Sequence, residues 1–391
     1  MMRLPKRTEL SEEQENFLLE APFDRPVLCI GPPGTGKTVL ALYRGVALSK
    51  KGKEVQFIMY GKLLTAYTKK ALTELGESIA PKTWNQWIWS LWRDANARYK
   101  IPELEKYLPD FRRALELLST GRVKRPDKLH WGHLIIDEGQ DFPKEFYMFL
   151  AFLSMDERVC AGRPGSGVTI LADDNQRLEE ERHSTINQIR SYIPNCETYS
   201  IRKNFRNTAP IARLAAYFYT GLQTGIPEIP ENVKGPAPQL KYFNSCEEEM
   251  MSVVNWAYNN DDCSCGVIVP SRNVQRKLFA ILESIANEKN IKVQQYSAGR
   301  DANSLDFHSG GFVTIICDKS CKGLEFDAVF LPQLHEHTTD GADETFFRMK
   351  MYVMISRARQ FLQMSFADCL SRPAVLSMLP SSDQELLAWQ I

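Results

Sequence analysis

The segment Gly31-Pro32-Pro33-Gly34-Thr35-Gly36-Lys37-Thr38 follows a short apolar run, Arg25-Pro26-Val27-Leu28-Cys29-Ile30, and precedes a stretch with helical patterning from Val39 to Leu48. It fits Gly-x4-Gly-Lys-[Ser/Thr], and the flanking runs read as buried parallel strand, loop and helix. Glycines let successive N–H groups converge on one point, and the helix behind adds its positive end there. That combination binds phosphate. Lys37 is expected to reach the β and γ phosphates of a nucleotide, and the Thr38 hydroxyl to ligate Mg2+.

At 391 residues the chain has room for two or three domains. Lys+Arg and Asp+Glu both total 48, so any surface for nucleic acid has to be a local one. No apolar stretch approaches the roughly 18 residues of a membrane helix. Met1-Met2-Arg3-Leu4-Pro5-Lys6-Arg7 carries charge without the apolar core of a signal peptide, so a cytoplasmic protein is expected. The nine cysteines lack Cys-x2-Cys spacing, and Cys263 and Cys265 are too close for a zinc arm, which leaves reduced thiols. His335 and His337, in an acidic and polar stretch without a third ligand, read as a solvated loop.

Apolar strand-like runs alternate with helical patterns almost throughout, the signature of parallel sheets flanked by helices. The first set comprises Val27–Ile30, Val55–Tyr60, Leu134–Asp137 and Val168–Ala172. The second comprises Thr198–Ile201, Leu240–Phe243, Gly266–Val269, Phe312–Cys317, Ala328–Pro332 and Phe361–Phe366, and each set suffices for a sheet. Between Trp84 and Leu118 the chain reads as helical. Trp84, Trp87, Trp89 and Trp92 crowd nine residues there, a spacing that serves a core as readily as a stacking platform.

A phosphate loop alone says only that a nucleotide binds. Leu134-Ile135-Ile136-Asp137-Glu138-Gly139-Gln140-Asp141 adds an apolar strand ending in adjacent carboxylates, and in such sheets ligands lie at the carboxyl ends of strands. Asp137 is placed to hold the Mg2+ shell and Glu138 to polarise the attacking water, a pairing that points to hydrolysis. Thr169-Ile170-Leu171-Ala172-Asp173-Asp174-Asn175-Gln176 is a second strand running into polar residues, where Gln176 can sense the γ-phosphate or orient water. Arg202-Lys203-Asn204-Phe205-Arg206-Asn207 and Tyr352-Val353-Met354-Ile355-Ser356-Arg357-Ala358-Arg359 carry arginines able to neutralise a transferring phosphoryl group.

The order and spacing of these segments resemble the superfamily 1 helicases of the UvrD/Rep type, from Glu13 to about Leu362. Leu10-Ser11-Glu12-Glu13-Gln14 resembles the adenine-reading glutamine motif, with Gln14 as reader. Asp137 to Asp141 resembles Asp-Glu-x-Gln-Asp, and Ala172 to Gln176 resembles Gly-Asp-x-x-Gln. Asn204-Phe205-Arg206 is similar to Asn-Tyr-Arg, which implies that Phe205 stacks on adenine and Arg206 meets the γ-phosphate. Lys322-Gly323-Leu324-Glu325-Phe326-Asp327 is similar to Lys-Gly-Leu-Glu-x-x, which implies a ribose contact for Glu325. Tyr352 to Ala358 is similar to Tyr-Val-x-x-Thr-Arg-Ala, with Arg357 as the arginine finger.

The resemblance implies an α/β fold of two tandem RecA-like parallel-sheet domains, a P-loop NTPase with its ATP cleft between them. The expected domains are 1–199, with a short helical insertion at about 88–130, and 200–391. Lys37, Asp137, Glu138, Gln176, Arg206 and Arg357 are the expected catalytic set. Gln14, the loop Gly31, Pro32, Pro33, Gly34, Thr35, Gly36, Lys37, Thr38, and then Phe205 and Glu325 would bind ATP, with Mg2+ on Thr38 and Asp137.

The departures concern output. The family's aromatic-rich segment after Gly-Asp-x-x-Gln is replaced by Arg177-Leu178-Glu179-Glu180-Glu181-Arg182, which carries no aromatic. Thr83-Trp84-Asn85-Gln86-Trp87 resembles Thr-Phe-His of the strand-binding face, making Thr83 and Trp84 nucleic-acid candidates beside a core role for Trp84. Tyr60-Gly61-Lys62 stands where Thr-x-Asn is expected, and Lys319 where a histidine is, so Tyr60 and Lys319 join them. About 50 residues separate Trp84 from Asp137 and about 115 separate Arg206 from Lys322, too few for large accessory insertions. The resemblance therefore implies an ATP-dependent DNA helicase or single-strand translocase moving 3′ to 5′ on single-stranded nucleic acid, DNA rather than RNA. The alternative is an ATPase subunit that switches or delivers a protein partner such as a nuclease, in a phage-defence or mobile-element system, without processive unwinding.

Overall fold

The computed structural model describes residues 5–96, 99–176, 183–222, 224–296, 311–337, 344–369 and 373–390. The chain divides between Arg202 and Lys203 into two compact units, each built on one parallel sheet; the short segment Pro33–Thr35 is grouped with the second.

In the first unit the sheet takes strands β1 (Val27–Ile30), β2 (Val55–Met59), β3 (Lys82–Thr83), β6 (His133–Ile136), β7 (Gly167–Ala172) and β8 (Glu197–Ser200), in the order β3-β2-β6-β7-β1-β8. Every pairing is parallel. The central strands β1, β6 and β7 are short and almost wholly buried because both faces are covered. Alternate residues serve opposite layers. Leu28, Ile30, Leu134, Ile136, Val168 and Ile170 face helices α4 (Trp84–Ala95), α5 (Phe111–Ser119), α6 (Lys144–Met155) and α8 (Ile186–Tyr192). Val27, Cys29, Ile135 and Leu171 share the other core with α1 (Glu12–Glu20), α2 (Lys37–Lys50) and α3 (Lys62–Glu74).

Two expectations are corrected in this unit. The strand expected over Thr198–Ile201 belongs to this first sheet, pairing with β1, and not to the second. The insertion at about 88–130 is not purely helical: an antiparallel hairpin of β4 (Glu103–Glu105) and β5 (Leu108–Pro109) separates α4 from α5. The residues between Trp84 and Leu118 have helical composition, but Pro102 and Pro109 interrupt any continuous helix there.

The second unit holds a seven-stranded sheet of β9 (Gln239–Phe243), β10 (Cys265–Val269), β11 (Lys292–Tyr296), β12 (Phe312–Cys317), β13 (Phe326–Leu331), β14 (Ala358–Ala367) and β15 (Ala388–Gln390). Its order is β11-β12-β10-β13-β14-β9-β15, again all parallel. Helices α10 (Cys246–Asn259) and α11 (Arg272–Glu288) bury Val253, Val254, Leu278 and Leu282 against Val267, Val313, Ile315 and Phe330. Helices α9 (Ala209–Tyr217) and α12 (Glu344–Ile355) pack on one another and on β14. All nine cysteines are free thiols. Among the described residues no helix is long and apolar enough to cross a membrane.

Candidate nucleotide and nucleic-acid sites

The phosphate loop links the carboxyl end of β1 to the start of α2. Gly34 and Gly36 carry φ of 83° and 81°, conformations that a side chain resists, so the segment's last two glycines are a backbone requirement. Lys37 opens α2 and folds its ammonium back over the loop, donating to the carbonyls of Gly31 at 2.6 Å and Pro32 at 3.2 Å. The same ammonium lies 3.9 Å from the carboxylate of Asp173. A positive charge is therefore held over a turn that opens a helix.

Gln14 is brought to this loop by a capping box. Ser11 accepts from the Gln14 N–H at 3.3 Å, and Gln14 Oε1 accepts from the Ser11 N–H at 2.9 Å. Its carboxamide nitrogen consequently faces Gly36, where an added Cβ would lie only 2.6 Å away. The helix bearing Gln14 is fixed at its other end by Arg44, a buried residue of α2. Arg44 donates to the carbonyl of Ala21 at 3.0 Å, to that of Pro22, and to Thr169 Oγ1 of β7 at 3.0 Å. Burial lowers the guanidinium pKa to about 10. Thr169 also meets His133 Nε2 at 2.9 Å, and burial, aided by Arg44 and Lys53, pushes that imidazole down to about 3. Sequence reasoning missed Arg44. An arginine inside an otherwise apolar helix face was its signal.

The strand-end carboxylates stand beside the loop. Thr38 Oγ1 donates to Asp137 Oδ2 at 2.7 Å, and the Asp137 carboxylate also accepts the Glu138 N–H at 3.0 Å. Burial, with the charge of Glu138 next to it, pushes the Asp137 carboxyl up to about 7, against the pull of Thr38 and Lys37. A hydroxyl and a carboxylate oxygen converging in a buried acidic spot make an all-oxygen donor set suited to Mg2+, whose charge would relieve that repulsion. Glu138 has φ of 54°, a left-handed conformation costly outside glycine, and it opens a 3-10 turn over Gly139–Asp141. Gln140 is the brace: its amide donates to Glu138 Oε2 at 2.7 Å while its Oε1 accepts the Asp173 N–H at 2.9 Å. Asp173 in turn accepts from Gln176 Nε2 at 2.8 Å and from the Asn175 N–H at 3.0 Å. Lys37, Thr38, Asp137, Glu138 and Gln176 thus form one buried network in the first unit. Gln140 and Asp173, present in the motifs but given no role from sequence, connect it.

In the second unit Arg206, Glu325 and Arg357 also lie together. Arg206 pairs with Glu325 and donates to the Ser356 carbonyl at 3.3 Å. Arg357 is only 1% exposed, its guanidinium donating to the carbonyls of Val353 at 2.9 Å and Leu324 at 3.3 Å. The expected arginine finger is therefore folded into its own unit in this structure. Phe205 presents a 47% exposed ring with Lys203 above it at 5.5 Å.

Trp84 is corrected. It is 5% exposed, packed edge-on to Phe142 and Phe146, and forms core rather than an open stacking face. Tyr60, 44% exposed at the carboxyl end of β2, lies stacked over it with ring centroids 6.4 Å apart and planes at 18°. Thr83 is the N-cap of α4, in a capping box with Gln86. Lys319 is exposed just beyond β12. Residues 177–182, the departure after Gln176, lie outside the described residues. The solvated reading of His335 and His337 is also corrected: His337 is fully buried, and burial, with Lys350 nearby, holds its pKa well below the usual range. His335 meets Cys369 at 3.5 Å, and among the described residues no group of three ligands could hold a metal.

Residues 14–181 match the family model described as an AAA domain. No curated protein matches the chain. Solved structures similar to it include the C-terminal domain of a possible DNA helicase from Lactobacillus plantarum WCFS1, 19% identical, covering 48% of this chain and 98% of that one with a TM-score of 0.35. S. cerevisiae Dbp5 bound to RNA and ADP BeF3 is 12% identical over 97% of this chain and 90% of that one, TM-score 0.49. The DUF1998 helicase MrfA bound to DNA is 11% identical over 92% of this chain and 48% of that one, TM-score 0.49. Over residues 14–181, somewhat under half of its length, the chain is thus similar to an AAA domain.

Proposed function

We propose that the chain hydrolyses ATP in response to single-stranded nucleic acid, DNA in preference to RNA, and uses the cycle to move along the strand in the 3′ to 5′ direction as a helicase or translocase. The observation that carries this reading is the continuous buried network from Lys37 and Thr38 through Asp137, Glu138, Gln140 and Asp173 to Gln176. A binding module has no use for a braced carboxylate beside a phosphate loop. In the reading, Lys37 holds the β and γ phosphates, Gln14 and Phe205 read adenine, and Glu325 meets the ribose. Thr38 and Asp137 hold Mg2+, which supplies charge neutralisation on the phosphates. Glu138, aimed by Gln140, takes the proton of the attacking water, and Gln176 senses the γ-phosphate. Arg206 and Arg357 neutralise the leaving charge once released from their resting partners. Tyr60 replaces Trp84 as the base-stacking residue, with Lys319 as a backbone contact.

The small insertion between β3 and β6, two helices and a hairpin, favours one second reading, a strand-responsive ATPase that delivers a protein partner without processive unwinding. ATPase assays against single- and double-stranded DNA and RNA, with strand displacement measured in parallel, test both. Strand-stimulated hydrolysis that disappears in Glu138→Gln supports the first reading. Stimulation without displacement supports the second, and hydrolysis indifferent to every strand refutes both.

A further inference from the structure

Ion pairs inside a domain give up two hydration shells, and apolar residues of the same size usually do as well for stability. The second unit nevertheless encloses one. Lys350 Nζ of α12 lies 2.5 Å from Asp318 Oδ2, with side-chain exposures of only 10% and 7%. The other Asp318 oxygen accepts the N–H of Lys319 at 2.6 Å, fixing the first peptide of the loop that leaves β12. That loop runs from Asp318 to Glu325, and its far end is held as well. Arg357 donates to the Leu324 carbonyl, and Arg206 pairs with Glu325. Lys350 lies within α12, and Arg357 lies two residues past its end. One helix and the residues directly after it therefore grip both ends of a single loop.

The two grips differ in kind. Arg357 binds the loop through the neutral carbonyl of Leu324, which a phosphoryl group would outbid. Lys350 binds it by a full charge pair in a poorly hydrated place, where the partner cannot leave without a large cost. We propose that Lys350 and Asp318 form a positioning latch that keeps the Lys319 end of the loop in register with α12 whenever Arg357 lets go of the other end. Displacement of the exposed Lys319 by a strand is thereby passed to α12 and to Arg357 just beyond its end. This rests on the reading that Lys319 meets nucleic acid and Arg357 serves the nucleotide; the latch itself touches neither.

The test compares wild type with Lys350→Met and with the doubly apolar Asp318→Leu/Lys350→Met, measuring ATP hydrolysis with and without single-stranded DNA, together with thermal melting. The double variant leaves no unpaired charge and should melt within a few degrees of wild type. Both variants should keep the unstimulated rate and the KM for ATP while the DNA-stimulated kcat falls about tenfold, the size of an ordinary coupling between sites. A folded double variant with wild-type stimulation would overturn the latch and make the pair simple packing. Wild type that no strand stimulates would instead refute the functional reading beneath it, so the two failures appear in different samples.

Discussion

Gly36→Ala isolates how tightly the helix bearing Gln14 is set against the phosphate loop. At φ of 81° an alanine costs about 1–2 kcal/mol from backbone sterics alone. Its Cβ would sit 2.6 Å from Gln14 Nε2, where ordinary contact begins near 3.4 Å, so the carboxamide has to retreat by about 0.8 Å. That retreat strains the rotamer or breaks the bond from the Ser11 N–H, adding about 1 kcal/mol. The single variant should therefore lose about 2–3 kcal/mol, and the same change in a Gln14→Ala background only the backbone part. Denaturant unfolding followed by tryptophan fluorescence is a suitable assay, because five of the seven tryptophans (84, 87, 89, 92 and 131) lie in the first unit. The double-mutant cycle should return a coupling of about 1 kcal/mol, well beyond the roughly 0.3–0.5 within which independent sites add. Additivity within that margin would show that Gln14 does not rest on Gly36 and would refute the argument.

Glu138→Gln should lower kcat roughly 100- to 10,000-fold while leaving nucleotide affinity near wild type, which equilibrium binding of a fluorescent ATP analogue would check. Tyr60→Ala should weaken single-strand binding by about 1–3 kcal/mol in a titration, with little change in melting because the ring is already half exposed. Arg44→Lys should cost about 3 kcal/mol, since one ammonium cannot reach all three oxygen acceptors, and the loss should appear in denaturant unfolding. His133 titrates at about 3 when folded and near 6.5 unfolded, so its contribution is intact above 6.5 and lost as pH falls towards 3. A pH series of unfolding curves should show wild type losing ground to His133→Asn at up to about 1.4 kcal/mol per pH unit in that window.

Much of the first unit could be read from residues in order. Gly34 and Gly36 are dictated by backbone geometry, and Asp137 and Glu138 by the way a parallel sheet gathers strand ends, so local chemistry revealed both. What stayed hidden depended on distant neighbours. The segment ending in Ser200 pairs with β1 because an edge was open there, and nothing in its own residues says which sheet it joins. Trp84 and Tyr60 are both aromatic residues at strand ends. Only the packing of Phe142 and Phe146 decides that the first is core and the second faces out. His337 was misread because its own acidic, polar stretch says nothing of the elements folded over it. Lys350 and Asp318, 32 positions apart, look like ordinary surface charges until the fold brings them together.

The three acceptors of Arg44 come from a helix end, the residue after it and a central strand, so the guanidinium ties the helix Glu12–Glu20 to the interior of the sheet. Those residues are consequently not a detachable arm. Amide exchange and limited proteolysis should find Glu12–Glu20 as protected as β7, and a nick that frees that helix would leave a buried cation with two of its oxygens gone. If Gln14 reads adenine as proposed, it does so from a surface already rigid before nucleotide arrives, and little chain entropy has to be spent in forming it.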